Sequence, residues 1–141
     1  MKHFFLDTNV VIDFLTNREP FSYDAANLFE LSERAQIKIF VSAISFNNIY
    51  YLARQKKPHQ DTIDSLQKLM AFCEVIDLTK TILAQAMNSE FGDLEDAIQY
   101  QSALGVEGIE AIVTRNQKDF KKSKLAVLSP KDVLHLIGSS L

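Results

Sequence analysis

Three short stretches of the chain gather oxygen-bearing side chains where a fold would expose them. Asp7-Thr8-Asn9 follows directly on the apolar run His3-Phe4-Phe5-Leu6. Asp93-Leu94-Glu95-Asp96 opens a helical pattern, and Thr114-Arg115-Asn116 ends the apolar run Ala111-Ile112-Val113. Carboxylate and amide oxygens are the donors that hard divalent cations select, and open α/β sheets present such groups at the carboxyl ends of their strands. Each stretch also has a local reading. Asp7 before an apolar helix is an ordinary N-cap, and Asp93 with Asp96 would charge the first turn of a helix favourably. Convergence separates the two readings. If the first and fourth strands are neighbours, all three stretches meet at one sheet edge, where mutually repelling carboxylates would raise a pKa unless a cation intervened.

The elements that must position these residues follow from the apolar periodicity, which alternates between short strand-like runs and longer helical ones. Strands are expected at 2–6, 37–41, 74–77, 110–113 and 125–128, with helices near 9–17, 22–35, 43–56, 60–72, 79–90, 94–104 and 130–138. Pro20 and Pro58 break adjacent helices, Gly105 and Gly108 bracket a turn, and Ser129-Pro130 starts the last helix with a cap and a proline. The pattern is that of an α/β fold with a mainly parallel sheet and helices on its faces. Glu30 and Glu33 read as solvated charges on the second helix.

A chain of 141 residues suits one domain, 1–141, with enough core to fold without a disulfide or metal staple. Its lone cysteine, Cys73, reads as the buried end of a helix and not as a catalytic thiol. No apolar run approaches the ~20 residues needed to span a bilayer, and the N-terminus lacks the pattern of a secretory signal, so a cytoplasmic location is expected. The net charge of −3 excludes a wholly basic nucleic-acid coat. It conceals a basic stretch, however: Arg115, Lys118, Lys121, Lys122, Lys124 and Lys131 against Asp119 alone, with a smaller patch at Arg54, Lys56 and Lys57. Beside an acidic pocket such cations would suit a polyanion. His3, His59 and His135 are too scattered for a zinc site or a nucleophile-base pair, and glycine loops that cradle phosphates are missing.

The motifs F-L-D-T-N-V-V-I-D, V-S-A-I-S-F-N-N, D-L-E-D-A and I-V-T-R-N-Q-K-D-F, in this order and spacing, resemble the PIN-domain ribonucleases over nearly the whole chain. Within that family the chain resembles VapC-like toxins, in particular a branch with N-R-E-P-F after the first helix, here Asn17 to Phe21. The resemblance implies a three-layer α/β/α sandwich, hydrolysis of RNA with Mg²⁺ or Mn²⁺, a cognate antitoxin and a homodimer. It makes Asp7 and Asp96 metal ligands and puts Asn116 at the fourth catalytic position. Asp93 is an additional catalytic and metal-binding carboxylate. Thr8, Asn9, Thr114 and Asp119 support the ligands, with Asp119 and Phe120 closing the fourth motif. Arg18 and Arg115 are candidates for substrate phosphates, since guanidinium offers a fork of donors. Aromatic and apolar residues at 14–29 are the surface expected to meet the antitoxin.

One position departs from the family. The helix after the S-A-I turn usually carries Glu, and this chain has Asn48. An amide can lend a carbonyl oxygen to a cation but brings no charge and cannot act as a base. Three outcomes are open: activity through Asp7, Asp93 and Asp96, activity only at higher metal concentration, or a PIN module that binds RNA or a protein without efficient cleavage. Asp13 either faces the pocket or lies on the surface. Tyr50, Tyr51 and Tyr100 could stack bases, although their helical spacing favours the core. A phosphotransfer domain with Asp7 as nucleophile would want a second Asp at position 9, where Asn9 stands.

Overall fold

The computed structural model describes residues 1–139. Five strands form one parallel sheet: β1 (Lys2–Leu6), β2 (Ile37–Ser42), β3 (Glu74–Ile76), β4 (Ile109–Val113) and β5 (Ala126–Leu128), in the order β3-β2-β1-β4-β5. The central strand β1 is covered on both faces, which is why Phe4, Phe5 and Leu6 form an uninterrupted apolar run with no exposure. Alternation along β1 divides the core. Phe4 and Leu6 join Val10, Leu28, Ile39, Ile49 and Val113 on one face, while Phe5 meets Tyr100, Ala103, Ile112 and Phe120 on the other.

The first face is covered by α1 (Thr8–Leu15), α2 (Ser22–Glu33), α3 (Ala43–Ala53), α4 (His59–Phe72) and α7 (Pro130–Ser139). The second is covered by α5 (Lys80–Met87) and α6 (Leu94–Leu104), packed on each other through Ala86, Ala97 and Ile98. The result is the expected three-layer α/β/α sandwich. β1 leads to β2 on one side and is flanked by β4 on the other, so the chain reverses its order beside β1. At such a switch point the carboxyl ends of adjacent strands open into a crevice. The backbone N–H of Asp7 bonds the carbonyl of Val113 at 3.0 Å, so the ends of β1 and β4 are tied where the first and fourth motifs begin.

Several helices stop earlier than periodicity suggests, each for a local reason. α1 ends before Asn17, which takes a left-handed φ of 56° that an asparagine tolerates better than most residues. Its free carbonyls are met from afar, since Lys57 Nζ donates to the Leu15 carbonyl at 2.8 Å. Part of the small basic patch is therefore a helix C-cap. After α5, Asn88 and Ser89 bond back to the carbonyls of Ala84 and Ala86 at 3.1 and 2.7 Å, the side-chain competition that ends helices. Gly108, with φ 86°, makes the turn into β4. A 3₁₀ turn at Gln117–Phe120, not expected from the pattern, is anchored by the buried Phe120. No helix among the described residues is long and apolar enough to cross a membrane.

Candidate active site

Asp7 follows β1 directly and caps α1, so the strand end and the helix N-cap fall on one residue. One carboxylate oxygen accepts from the Thr8 N–H at 2.8 Å. The other accepts from the Thr114 hydroxyl at 2.8 Å and from the Asn9 amide at 3.3 Å. Asn9 also donates to Thr114 at 3.1 Å, and the N–H of Asn116 donates to the same hydroxyl oxygen at 3.1 Å. Asn9 and Thr114 thus fasten Asp7 and the end of β1 to the end of β4. Thr8 supports Asp7 through its backbone. Its hydroxyl turns inward to Ser45 at 2.7 Å, and both hydroxyls accept from the buried Gln99 amide, at 3.1 and 2.8 Å. This network joins α1, α3 and α6 beneath the site. Nothing in the local pattern marked Ser45 and Gln99, because a polar residue on a helix announces its burial only once its neighbours are known.

Above Asp7 lies a cleft of about 250 Å³ lined by Thr8, Asn9, Ile12, Arg18, Leu52, Glu95, Asp96, Arg115, Asn116 and Asp119. Four carboxylates therefore face one small volume. Asp96 comes from the first turn of α6, as expected, and Asn116 and Asp119 flank the start of the 3₁₀ turn and lie within it, respectively. Asp93 lies outside this group. It is exposed and caps α6, accepting from the Asp96 N–H at 3.0 Å. The additional carboxylate lining the cleft is Glu95, which the D-x-x-D spacing had passed over. Asn48 of α3 donates to Glu95 Oε1 at 2.6 Å. Asn47 is exposed.

The two arginines divide. Arg18 is exposed at the cleft rim, its guanidinium 6.0 Å from the Phe21 ring centre. Arg115 is committed to the protein: Nε and Nη2 bond both oxygens of Asp13, and the guanidinium lies 4.0 Å from the Phe21 ring centre. Asp13 is neither on the surface nor a free pocket acid. Its side chain is 1% exposed, and it pairs Arg115 across 102 residues of sequence. Fork-shaped donors suit a carboxylate as well as a phosphate, so Arg115 was legible as a fork but its partner was not.

Other expectations sort by burial. Tyr100 is a core residue whose hydroxyl accepts from the Lys124 N–H, and Tyr50 bonds His59, while Tyr51 is exposed. In the segment 14–29, Phe14 and Phe29 stack at 4.4 Å in the core beside Leu28, leaving Tyr23 as its large exposed apolar side chain. Burial, with the nearby Glu74, pushes the Cys73 thiol up to about 12, which suits an inert residue.

Burial first, and then crowding, sets the electrostatics of the cleft. Burial raises the Asp7 carboxyl above its ordinary range, against the lowering effect of the Thr114 and Thr8 hydrogen bonds. Burial, then the charges of Asp7 and Asp93, raises Glu95. Asp96 is pushed up to about 7 by burial and by Asp7, Asp93, Asp119 and Glu95. The folded chain therefore holds more protons than the unfolded one between the ordinary carboxylate value of 3.8 and about 7. In that window stability falls as pH rises. Thermal unfolding in EDTA is expected to drop in temperature from pH 5 to pH 7, with a shallower slope in Asp96→Asn. Added Mn²⁺ should raise the unfolding temperature more at pH 7 than at pH 5, because ligands must lose protons to bind. A flat profile, identical in both proteins, would remove the electrostatic account.

Among the described residues, no three His, Cys, Asp or Glu side chains stand in a ready-made ligation geometry. Mg²⁺ does not require one, since it retains waters and is held by one or two carboxylates with substrate phosphates. The donor set fits such an ion: hard oxygens only, with a surplus of negative charge.

The PIN domain family model matches residues 3–118. Among solved structures, the fold is similar to a DNA-bound VapBC from Salmonella typhimurium, with a TM-score of 0.70 and 19% identity, covering 92% of this chain and 99% of that one. A toxin-antitoxin complex from Klebsiella pneumoniae gives a TM-score of 0.63 and 25% identity, covering 89% of this chain and 96% of that one. VapC20 of Mycobacterium tuberculosis, a sarcin-ricin loop cleaving toxin, gives 0.60 and 15%, covering 77% and 86%. No curated protein matches the chain in sequence. With the motif order, the parallel sheet and the acidic cleft at its switch point in agreement with a family match over most of its length, the chain belongs to the PIN-domain family.

Proposed function

We propose that this PIN domain is a divalent-metal-dependent endoribonuclease and the toxin of a bacterial toxin-antitoxin pair, acting in the cytoplasm. The observation that carries the reading is the cleft where Asp7, Asp96 and Asp119 converge with Asn116 and the exposed Arg18. Asp7 and Asp96 would hold Mg²⁺ or Mn²⁺. When bound, such an ion makes a water a nucleophile at neutral pH and offsets charge on the phosphoryl oxygens. Asp7 is prepared for this role by Thr8, Asn9 and Thr114, which fix its rotamer through three hydrogen bonds. Asp96 directs its carboxylate into the cleft and orients the attacking water. Arg18 receives a phosphate of the RNA strand, a task for which Arg115 is poorly placed because Asp13 occupies its fork. Asn116 bonds substrate or water at the rim, beside Asp119.

The partners follow from the same reading. The Klebsiella pneumoniae structure is a toxin-antitoxin complex, and the Salmonella typhimurium one is a VapBC bound to DNA. A cognate antitoxin here would lay a segment over the cleft beside Leu52 and Arg18, with a basic side chain entering among the carboxylates. A homodimer belongs to the same proposal.

The test is cleavage of a pool of structured and unstructured RNAs by purified protein with Mg²⁺, Mn²⁺ or EDTA, beside Asp96→Asn prepared identically. Cutting that requires metal and falls by about a hundredfold or more in the variant is expected. Equal cutting by both proteins points to a contaminant. Absence of cutting with retained RNA binding leaves a PIN module that binds without cleaving.

A further inference from the structure

Position 48 carries no charge, yet the cleft does not lack a fourth carboxylate. Asn48 lies on α3 and Glu95 on the first turn of α6, and the two side chains meet at 2.6 Å across 47 residues of sequence. Both are partly buried, and Glu95 lines the same cleft as Asp7 and Asp96. A Glu at 48 would press against Glu95, whereas an amide N–H there binds one Glu95 oxygen and leaves the other available. We propose that the carboxylate usually supplied by α3 is supplied in this chain by Glu95 of α6, and that Asn48 is a positioning residue that aims Glu95 at the divalent cation. The proposal rests on the reading of the cleft as a metal-dependent site.

Three physical points support the exchange. Asp93 is the cap residue, in extended conformation, and its exposed carboxylate turns back onto the Asp96 N–H at 3.0 Å, whereas Glu95 lies inside the first turn and lines the cleft. The extra acid next to Asp96 that meets the cleft is therefore the one at 95. Glu has the longer side chain, which suits reaching over the helix start toward Asp7. Finally, the hydrogen bond restricts the Glu95 rotamer before any ion arrives, as partners of ligating carboxylates do in metal sites. Charge is conserved in the cleft while its source moves from one helix to another.

Binding of Mn²⁺ to the metal-free protein, followed by calorimetry and by the paramagnetic signal of free Mn²⁺, tests this without reference to cleavage. Wild type, Glu95→Gln, Asn48→Leu, the double variant Asn48→Leu/Glu95→Gln, the exchanged pair Asn48→Glu/Glu95→Gln, and Asp7→Asn are compared, each with its unfolding temperature in EDTA. Glu95→Gln is expected to weaken Mn²⁺ binding about tenfold or more, and Asn48→Leu by a smaller factor. The double variant should bind as Glu95→Gln does, since Asn48 acts through Glu95. The exchanged pair should recover most of the affinity by returning the acid to α3. Folded Glu95→Gln with wild-type Mn²⁺ affinity, while Asp7→Asn has lost it, overturns the proposal and leaves the metal site standing. Equal losses for Asn48→Leu added to wild type and to Glu95→Gln overturn the positioning role. Unchanged or undetectable binding in wild type and Asp7→Asn alike removes the metal reading itself, and this proposal with it.

Discussion

Asp7→Asn is expected to abolish metal-dependent RNA cleavage while leaving the metal-free protein folded. Asp7 is the carboxylate at the deepest point of the cleft, 6% exposed and held by Thr8, Asn9 and Thr114. Removing its charge deletes the strongest attraction for the cation, and a loss of several kcal/mol of transition-state stabilisation corresponds to about a thousandfold or more in rate. Folding responds in the opposite sense. The buried carboxylate is costly to ionise, which is why its pKa is raised, and a neutral amide relieves that cost. It also loses charge-assisted hydrogen bonds, so the two effects offset each other to within about 1 kcal/mol, or ~3 °C in unfolding temperature for a domain of this size. Kinetics and a melting curve in EDTA on the same preparation check both halves. Retained cleavage would move the chemistry away from Asp7, and a variant that fails to fold would make Asp7 a structural residue first.

Asp13→Ala is expected to destabilise the fold by about 3 kcal/mol, because it strands a guanidinium that is mostly removed from water. The Arg115 side chain is 20% exposed and Asp13 1%, so the ion pair is a buried one and not a surface contact. With Asp13 gone, Arg115 retains the Phe21 face, which supplies a cation–π attraction of about 1 kcal/mol and no hydrogen bond. The pair also holds the site together. Arg115 follows Thr114 directly, and its N–H donates to Asn9 at 3.3 Å, so its side chain anchors the start of the segment carrying Asn116 and Asp119. Urea unfolding of Asp13→Ala, Arg115→Met and the double variant measures the coupling. The double variant should recover a large part of the loss, since an apolar replacement of both partners leaves no unpaired charge. A loss below about 1 kcal/mol for Asp13→Ala would mean that water reaches Arg115 and that the pair contributes as a surface salt bridge does.

Much of this organisation is legible in the order of the residues. Phe4-Phe5-Leu6 and Ala111-Ile112-Val113 are the short, wholly apolar runs that strands buried on both faces require, and Asp7 and Thr114 follow them directly. That puts the first and fourth motifs at the carboxyl ends of strands, and the pairing of β1 with β4 brings them together. The starts of α6 and α7 are likewise announced by their acids, serine and proline. Local chemistry governs these features, so a local reading finds them.

The succession of strands and helices, the α/β class, and the positions of Asp7, Asp96 and Asn116 at element ends are thus properties of the chain read residue by residue. Which oxygens share the cleft, and which side chains are already engaged, depends on how the layers pack. Asp93 and Glu95 are two carboxylates two residues apart, but the cap conformation turns the first back onto the Asp96 N–H at the surface while the second lines the cleft. The hydrogen bond from Asn48 to Glu95, the ion pair of Asp13 with Arg115 and the bonds from Gln99 to Thr8 and Ser45 each join residues 47 or more positions apart. Such pairs leave no periodic trace in the chain. Their energy comes from being held together in a low-dielectric interior, which exists only once the sheet and its two helical layers have closed.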